Sequence, residues 1–227
     1  VLAKRCTLFD NSDGLLQVDV GSLVNPGGNP AMRMLLPYYS ISRPAVSFAN
    51  EHVLIVHRKN DSREKIISIV RTGLDIDSTE PTLMMSITLA QLHRMAKDKF
   101  EQRYRGENIS DEILLDGRVK VQLDLPRFIV TFLPEDGPYF LMMILCELMP
   151  SEVASKGSPR VNIIAAQVFH LPPSYPRPII TNAGHFSWLL VCKGWLWFFK
   201  ATRTKLIGGR VYYARKGWLG WISRNGL

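Results

Sequence analysis

Short apolar, β-branched and aromatic runs, some of them alternating apolar and polar residues with a period of two, recur along this chain between Gly, Pro and Asn breakers, which predicts a protein built mainly from β-strands. Leu15–Val24 (LLQVDVGSLV) reads as a strand that stops at Asn25-Pro26-Gly27-Gly28-Asn29-Pro30, the strongest cluster of breaker residues. Met32–Ile41 is a second extended run, and Pro37 either confines it to a sheet edge or splits it. His52–His57 and Ile66–Val70 are short β-branched runs. With Asn60, Asp61 and Ser62 between them, they predict a hairpin or meander. Arg118–Leu125 (RVKVQLDL) alternates as a half-buried strand does, and Phe128–Leu133 follows it beyond Pro126. Tyr139–Met149 is almost continuously apolar, so periodicity leaves both a strand and a short buried helix open. Val161–Phe169 is a further strand, followed by the proline-rich stretch Leu171–Pro178. Three aromatic runs, His185–Val191, Trp195–Lys200 and Arg210–Ala214, complete the pattern. Gly208-Gly209 predicts a tight turn before the last of them.

One segment follows the helical period instead. Thr88 with Gln91 three residues later forms a capping box, in which each residue's side chain bonds the other's backbone N–H. Leu89, Leu92, Met95, Ala96 and Phe100 then share one face, so a helix is expected over 88–105, closed by Gly106. Its other face, with Arg94, Lys97, Lys99, Arg103 and Arg105, reads as solvated. Strands are not interleaved with helices, which argues against a parallel α/β sheet. The expected fold is mainly β: antiparallel sandwich or barrel-like sheets with one or two flanking helices.

Charge changes this picture by being uneven. Residues 1–152 hold 17 of the 28 Lys/Arg and all 20 Asp/Glu, and are close to neutral. Residues 153–227 hold 11 Lys/Arg, no acid, and all five tryptophans. The chain is therefore read as a near-neutral part, 1–152, and a basic, Trp-rich part, 153–227, packed together as one unit. The soft boundary lies near Pro150–Pro159. Cations gathered beside every indole point to a binding surface for an anionic partner. Lys193, Lys200, Arg203 and Lys205 stand near Trp195 and Trp197, and Arg210, Arg215 and Lys216 near Trp218 and Trp221. Indoles favour the membrane–water interface, and nearby cations gain roughly 1 kcal/mol each at an anionic leaflet. The same residue types bind single-stranded nucleic acid, with bases stacked on rings and phosphates held by cations. The pattern leaves both partners open.

Other chemistry is thin. Cys6, Cys146 and Cys192 are odd in number and unclustered, which fits buried reduced thiols better than a disulfide framework. His52 and His57, five apart on a strand, fall on opposite faces and do not share a metal. Asp75 and Asp77 share a face if extended, but the following Ser78-Thr79-Glu80-Pro81 makes a solvated loop the better reading. There is no phosphate-binding loop, nucleophile elbow or zinc motif, so neither an enzyme, a metal nor a cofactor is expected. No apolar run approaches the ~20 residues of a membrane span, and the N-terminus lacks a signal-peptide pattern. Val1 at the first position suggests a processed chain or a fragment.

The remaining motif is Pro172-Pro173-Ser174-Tyr175, the P-P-x-Y pattern read by WW domains. Its prolines preset an extended helix that docks on an aromatic groove. An inter-strand linker is the plainer reading. A basic β-rich chain with this motif resembles the matrix proteins of enveloped negative-strand RNA viruses. Leu15–Pro44 is also loosely similar to the opening strands of bornavirus-type matrix proteins. The resemblance implies a virion protein without enzymatic activity, attached to the inner face of a host membrane and assembling with copies of itself. It further implies contact with RNA or ribonucleoprotein, and recruitment of a host WW-domain protein by Pro172, Pro173 and Tyr175. In the family the motif usually lies near the N-terminus, whereas here it is deep in the chain. The rival expectation is a nucleic-acid-binding viral coat or nucleocapsid protein.

Overall fold

The computed structural model describes residues 6–11, 14–19, 32–36, 45–46, 52–58, 62–72, 81–100, 109–135, 140–150, 160–172, 178–192, 195–213 and 219–221. Side chains are described within these ranges from Ala45 to Gly208, Val46, Cys192 and Trp195 excepted. Four antiparallel meanders follow one another along the chain. The first sheet is β1 (Cys6–Asn11), β2 (Gly14–Asp19) and β3 (Met32–Leu36). The second is β4 (Ala45–Val46), β5 (His52–Arg58), β6 (Lys65–Arg71) and β7 (Thr82–Thr88). The third is β8 (Gly117–Asp124), β9 (Arg127–Pro134), β10 (Phe140–Leu148) and β11 (Val161–His170). The fourth is β12 (Ile179–Gly184), β13 (Ser187–Cys192), β14 (Trp195–Ala201), β15 (Leu206–Tyr213) and β16 (Leu219–Trp221). Helices α1 (Leu89–Ala96) and α2 (Asp111–Leu115) lie between the second and third sheets in sequence. The expected β-rich fold with two helices is the one observed, and its sheets do not close into a barrel.

The third sheet is the middle layer. One of its faces carries Val119, Val121, Phe128, Val130, Phe132, Met142, Ile144 and Cys146, aligned by the β8–β9 and β9–β10 ladders. These pack with Leu54, Val56, Ile67, Ile69, Met85 and Ile87 of the second sheet and with Leu89, Leu92 and Ala96 of α1. The opposite face carries Ile129, Leu133, Leu141, Met143 and Leu145, which pack with Ile180, Trp188, Leu190, Phe199 and Ala201 of the fourth sheet. A strand covered on both faces needs apolar residues at both parities. That requirement accounts for the run Tyr139–Met149: it is strand β10, not a helix. It also accounts for Cys146, which is a free buried thiol whose pKa burial pushes up. The composition boundary near 152 falls between β10 and β11, which are hydrogen-bonded neighbours in this one sheet.

Several boundaries differ from the sequence reading. The capping box at Thr88 and Gln91 forms with both hydrogen bonds at 3.1 Å. The α-helix nevertheless ends at Ala96 and gives way to a single 3-10 turn, Lys97–Lys99, well short of 105. Residues 101–108, with Arg103, Arg105 and Gly106, lie outside the described residues. Met95, expected on the apolar face, is exposed. His93 is buried in its place, its ring 5.7 Å from that of Phe100. β3 covers Met32–Leu36 of the expected run, and residues 37–41, with Pro37, lie outside the described residues.

The expected turn at Gly208-Gly209 lies inside β15, and the turn itself is Thr202–Lys205. There the Thr202 N–H donates to the Lys205 carbonyl at 2.8 Å and the Lys205 N–H donates to Thr202 Oγ1 at 3.1 Å. Gly208 serves packing: a Cβ there would stand 2.5 Å from Phe199 Cδ1 and 2.6 Å from Phe169 Cε1. His185 belongs to a turn instead of a strand. Phe186 takes a left-handed backbone (φ 45°), rare for a bulky residue. Its ring is buried in the inner cluster, and its carbonyl accepts the Ala201 N–H at 2.9 Å.

Candidate functional site

The fourth sheet holds most of the residues that the charge pattern singled out. A five-stranded meander builds it from runs in which side chains alternate across the sheet. On the inner parity Trp188 and Phe199 face each other in the ladder, as do Leu190 and Trp197. Trp188 and Phe199 are fully buried, and Trp197 packs against the same cluster with its ring parallel to that of Phe199, centroids 6.4 Å apart. Phe169 of β11 meets Phe199 edge-on at 4.8 Å. The two indoles with described side chains are therefore turned toward the middle layer, away from an outer binding surface. At about 25 cal/mol per Å2 of apolar surface removed from water, packing of this kind accounts for their positions.

The outer parity has a different character. Ile179, Val191 and Leu196 are aligned across β12, β13 and β14, and the ladder continues to Val211 and Trp221. Ile179 is 55% exposed and Val191 49%, so this aliphatic row meets solvent. A second row contains Thr181, Leu189 and Phe198. In the third, Lys200 stands between Ser187 and Ile207, and both Lys200 and Ile207 are exposed. The Thr202–Lys205 turn follows directly and presents Arg203 and Lys205, also exposed.

Electrostatics favours an anion at that end. No residue after 152 is acidic. Among the described residues no carboxylate pairs with Lys200, Arg203 or Lys205. Among the described residues, ion pairs join Arg63 to Asp116, Arg94 to Asp111 and Arg127 to Asp124 (3.9 Å), and His185 Nε2 lies 3.2 Å from the same Asp124 carboxylate. The only carboxylate among these that touches the fourth sheet, Asp124, is thus already engaged. Two further contacts bind the third sheet's edge to the fourth. Arg118 donates to the Pro178 carbonyl at 3.2 Å, and Gln122 donates to the Gly184 carbonyl at 3.3 Å.

The other residues expected at the site are only partly located. Arg210 stands opposite Trp197 in the ladder, Trp195 opposite Cys192, and Trp221 opposite Val211. Lys193, Arg215, Lys216 and Trp218 lie outside the described residues. Pro172 follows the buried Leu171 at the end of β11 and is half-buried, while Pro173 and Tyr175 are outside the described residues. Asp75 and Asp77 are outside them too. The outer aliphatic row was not anticipated, although its signal is present: β12 and β13 carry apolar residues at both parities (IITNAG, SWLLVC), one set more than an inner face needs.

Two buried polar groups could carry chemistry and are better explained by the fold. His57 Nε2 lies 2.9 Å from Ser68 Oγ, which donates to Ser86 Oγ at 3.2 Å across β5, β6 and β7. Burial pushes the His57 pKa down, and a hydrogen bond at Arg58 partly opposes this. Ser68 is 1% exposed, so a substrate has no route to its hydroxyl, and the chain of bonds satisfies polar groups inside a sheet. Lys65, 1% exposed, donates to the Leu114 carbonyl at 2.8 Å and to the Leu115 carbonyl, closing the C-terminal end of α2. Among the described residues there is no cluster of three or more metal-ligating side chains, and no helix long and apolar enough to cross a membrane. No protein-family model, curated protein or solved structure matches the chain.

Proposed function

We propose that this chain is a structural, matrix-like protein that docks peripherally on an anionic membrane through the outer face of its fourth sheet. The observation that carries the reading is the group Lys200, Arg203 and Lys205. All three are exposed, none pairs with a described carboxylate, and they sit on an acid-free third of the chain. Each cation near an anionic leaflet gains about 1 kcal/mol, so three of them supply weak, reversible docking that copies held side by side would strengthen. A lipid surface fits better than a single nucleic-acid strand. Bases need outward rings to stack on, whereas Trp188, Trp197 and Phe199 pack inward and the outer parity offers, among the described side chains, one half-buried ring, Phe198, beside the exposed aliphatics Ile179 and Val191.

Flotation of the folded chain with vesicles tests this at low salt. The chain is expected to float with phosphatidylcholine–phosphatidylserine vesicles and to stay down with pure phosphatidylcholine. Failure to float with either sinks the reading. A filter-binding titration with single-stranded RNA separates the rival: RNA binding with a steep salt slope, in a chain that ignores vesicles, makes it a nucleic-acid protein.

A further inference from the structure

We infer that the fourth sheet lies flat on the bilayer and presses an aliphatic row, Ile179 and Val191 with Leu196, into the interfacial layer while Lys200, Arg203 and Lys205 hold lipid headgroups. This rests on the membrane reading above and adds an apolar half to what is otherwise an electrostatic attachment.

Geometry sets the orientation. Leu196 and Lys200 are four residues apart on β14, which at about 3.3 Å per residue is roughly 13 Å along the strand. The polar layer on one side of a bilayer is only about 5–8 Å thick. Upright strands would therefore leave either the aliphatic row or the cations outside the layer each one suits. Strands parallel to the surface bring both to the same depth. The outer face permits this: exposed Ile179 and Val191 at one end and exposed Lys200 and Ile207 at the other belong to the same parity of one sheet.

Charge complementarity selects the occupant. A second copy of this chain laid face to face would bring the same acid-free sheet against Lys200, Arg203 and Lys205, with no carboxylate from residues 153–227 to neutralise them. Nucleic acid would satisfy the cations but give Ile179 and Val191 nothing apolar to cover them. An anionic bilayer meets both requirements, with headgroup phosphates and carboxylates for the cations and the acyl boundary for the aliphatics.

The experiment uses the full chain with three-to-one phosphatidylcholine–phosphatidylserine vesicles. Ile179→Thr/Val191→Thr keeps β-branched residues on both strands while removing the apolar tips. Its partitioning is expected to fall at least about tenfold, whereas Leu83→Thr, at a 55% exposed site on the second sheet, leaves partitioning unchanged. Wild-type chain bound at low salt is also expected to remain partly bound in 1 M NaCl, where charges are screened beyond about 3 Å. This second measurement needs no variant to fold. Partitioning of the double variant within twofold of wild type, or complete release of wild type by 1 M NaCl, overturns the insertion while leaving electrostatic docking intact. A wild-type chain that ignores anionic vesicles at low salt overturns both. Sedimentation showing face-to-face dimers that Ile179→Thr/Val191→Thr abolishes, with vesicle binding unaltered, assigns the row to a second copy and also overturns it.

Discussion

Lys65→Met should remove one specific segment of the pH dependence of stability. Lys65 opens β6 with its side chain enclosed, its ammonium 5.7 Å from the centre of the Phe132 ring and bonded to the last carbonyls of α2. Burial lowers its pKa from 10.5 to about 8. Arg58 and Arg63 push the same way, and Asp116 and Glu135 push back. The folded pKa thus lies below the unfolded one, so between pH 8 and pH 10.5 the unfolded chain holds a proton that the native chain has released. Stability contributed by this group therefore rises with pH across that window, and below pH 8 its cost is present in full. The size of the rise is at most about 3.5 kcal/mol, since one unit corresponds to about 1.4 kcal/mol. Urea unfolding at half-unit steps from pH 7 to pH 11 measures it. Subtracting Lys65→Met from wild type cancels the other lysines and tyrosines. Wild type should gain on the variant by about 1–3 kcal/mol between pH 8 and pH 10.5 and stay parallel to it below pH 8. A difference that is flat across the window, or that falls, would refute an enclosed Lys65.

Further consequences concern the layers and their joints. Gly208→Ala drives a methyl into the Phe169–Phe199 pair and should cost about 1–3 kcal/mol, read as a lower urea midpoint. A variant as stable as wild type would mean the rings can part. Leu145→Ala empties a fully buried site between the third and fourth sheets, with an expected loss of about 2–5 kcal/mol. Thr88→Ala breaks the capping box at the start of α1 and should cost about 1 kcal/mol, with amide exchange accelerated in the first turn of that helix.

The sequence disclosed several strands through β-branched runs or regular alternation between breaker residues. Arg118–Leu125 alternates because β8 is covered on one side only, and Thr88 with Gln91 announced α1 through a local hydrogen-bond pattern that needs no tertiary context. The reading weakened where the fold, not the local chain, decides. Tyr139–Met149 lost its period because β10 is buried on both faces. Gly208-Gly209 imitated a turn because the demand for glycine came from two rings brought together by different sheets. Strand β7 and helix α2 went unseen. TLMMSIT has no clean alternation, with a register shift where it pairs with β6, and α2 is a single turn begun by Ser110 and closed by a lysine 49 residues earlier. At the candidate site the uneven charge was legible as composition. Which indoles turn inward was not, because it depends on the β13–β14 register against the middle layer.

In the proposed docking, Lys200 on β14 and Arg203 and Lys205 in the turn that follows, and not net charge alone, hold the chain to an anionic surface. The most direct measurement compares two charge-reversed variants in vesicle sedimentation at physiological salt. Lys200→Glu/Arg203→Glu/Lys205→Glu should lower binding to phosphatidylserine-containing vesicles by well over tenfold, at about 1 kcal/mol for each attraction lost and more for the repulsion gained. Lys97→Glu/Lys99→Glu, at exposed positions of the 3-10 turn after α1, should lower it only about two- to threefold through the weaker overall field. Equal losses in the two variants, or binding unchanged in the first, would contradict the account.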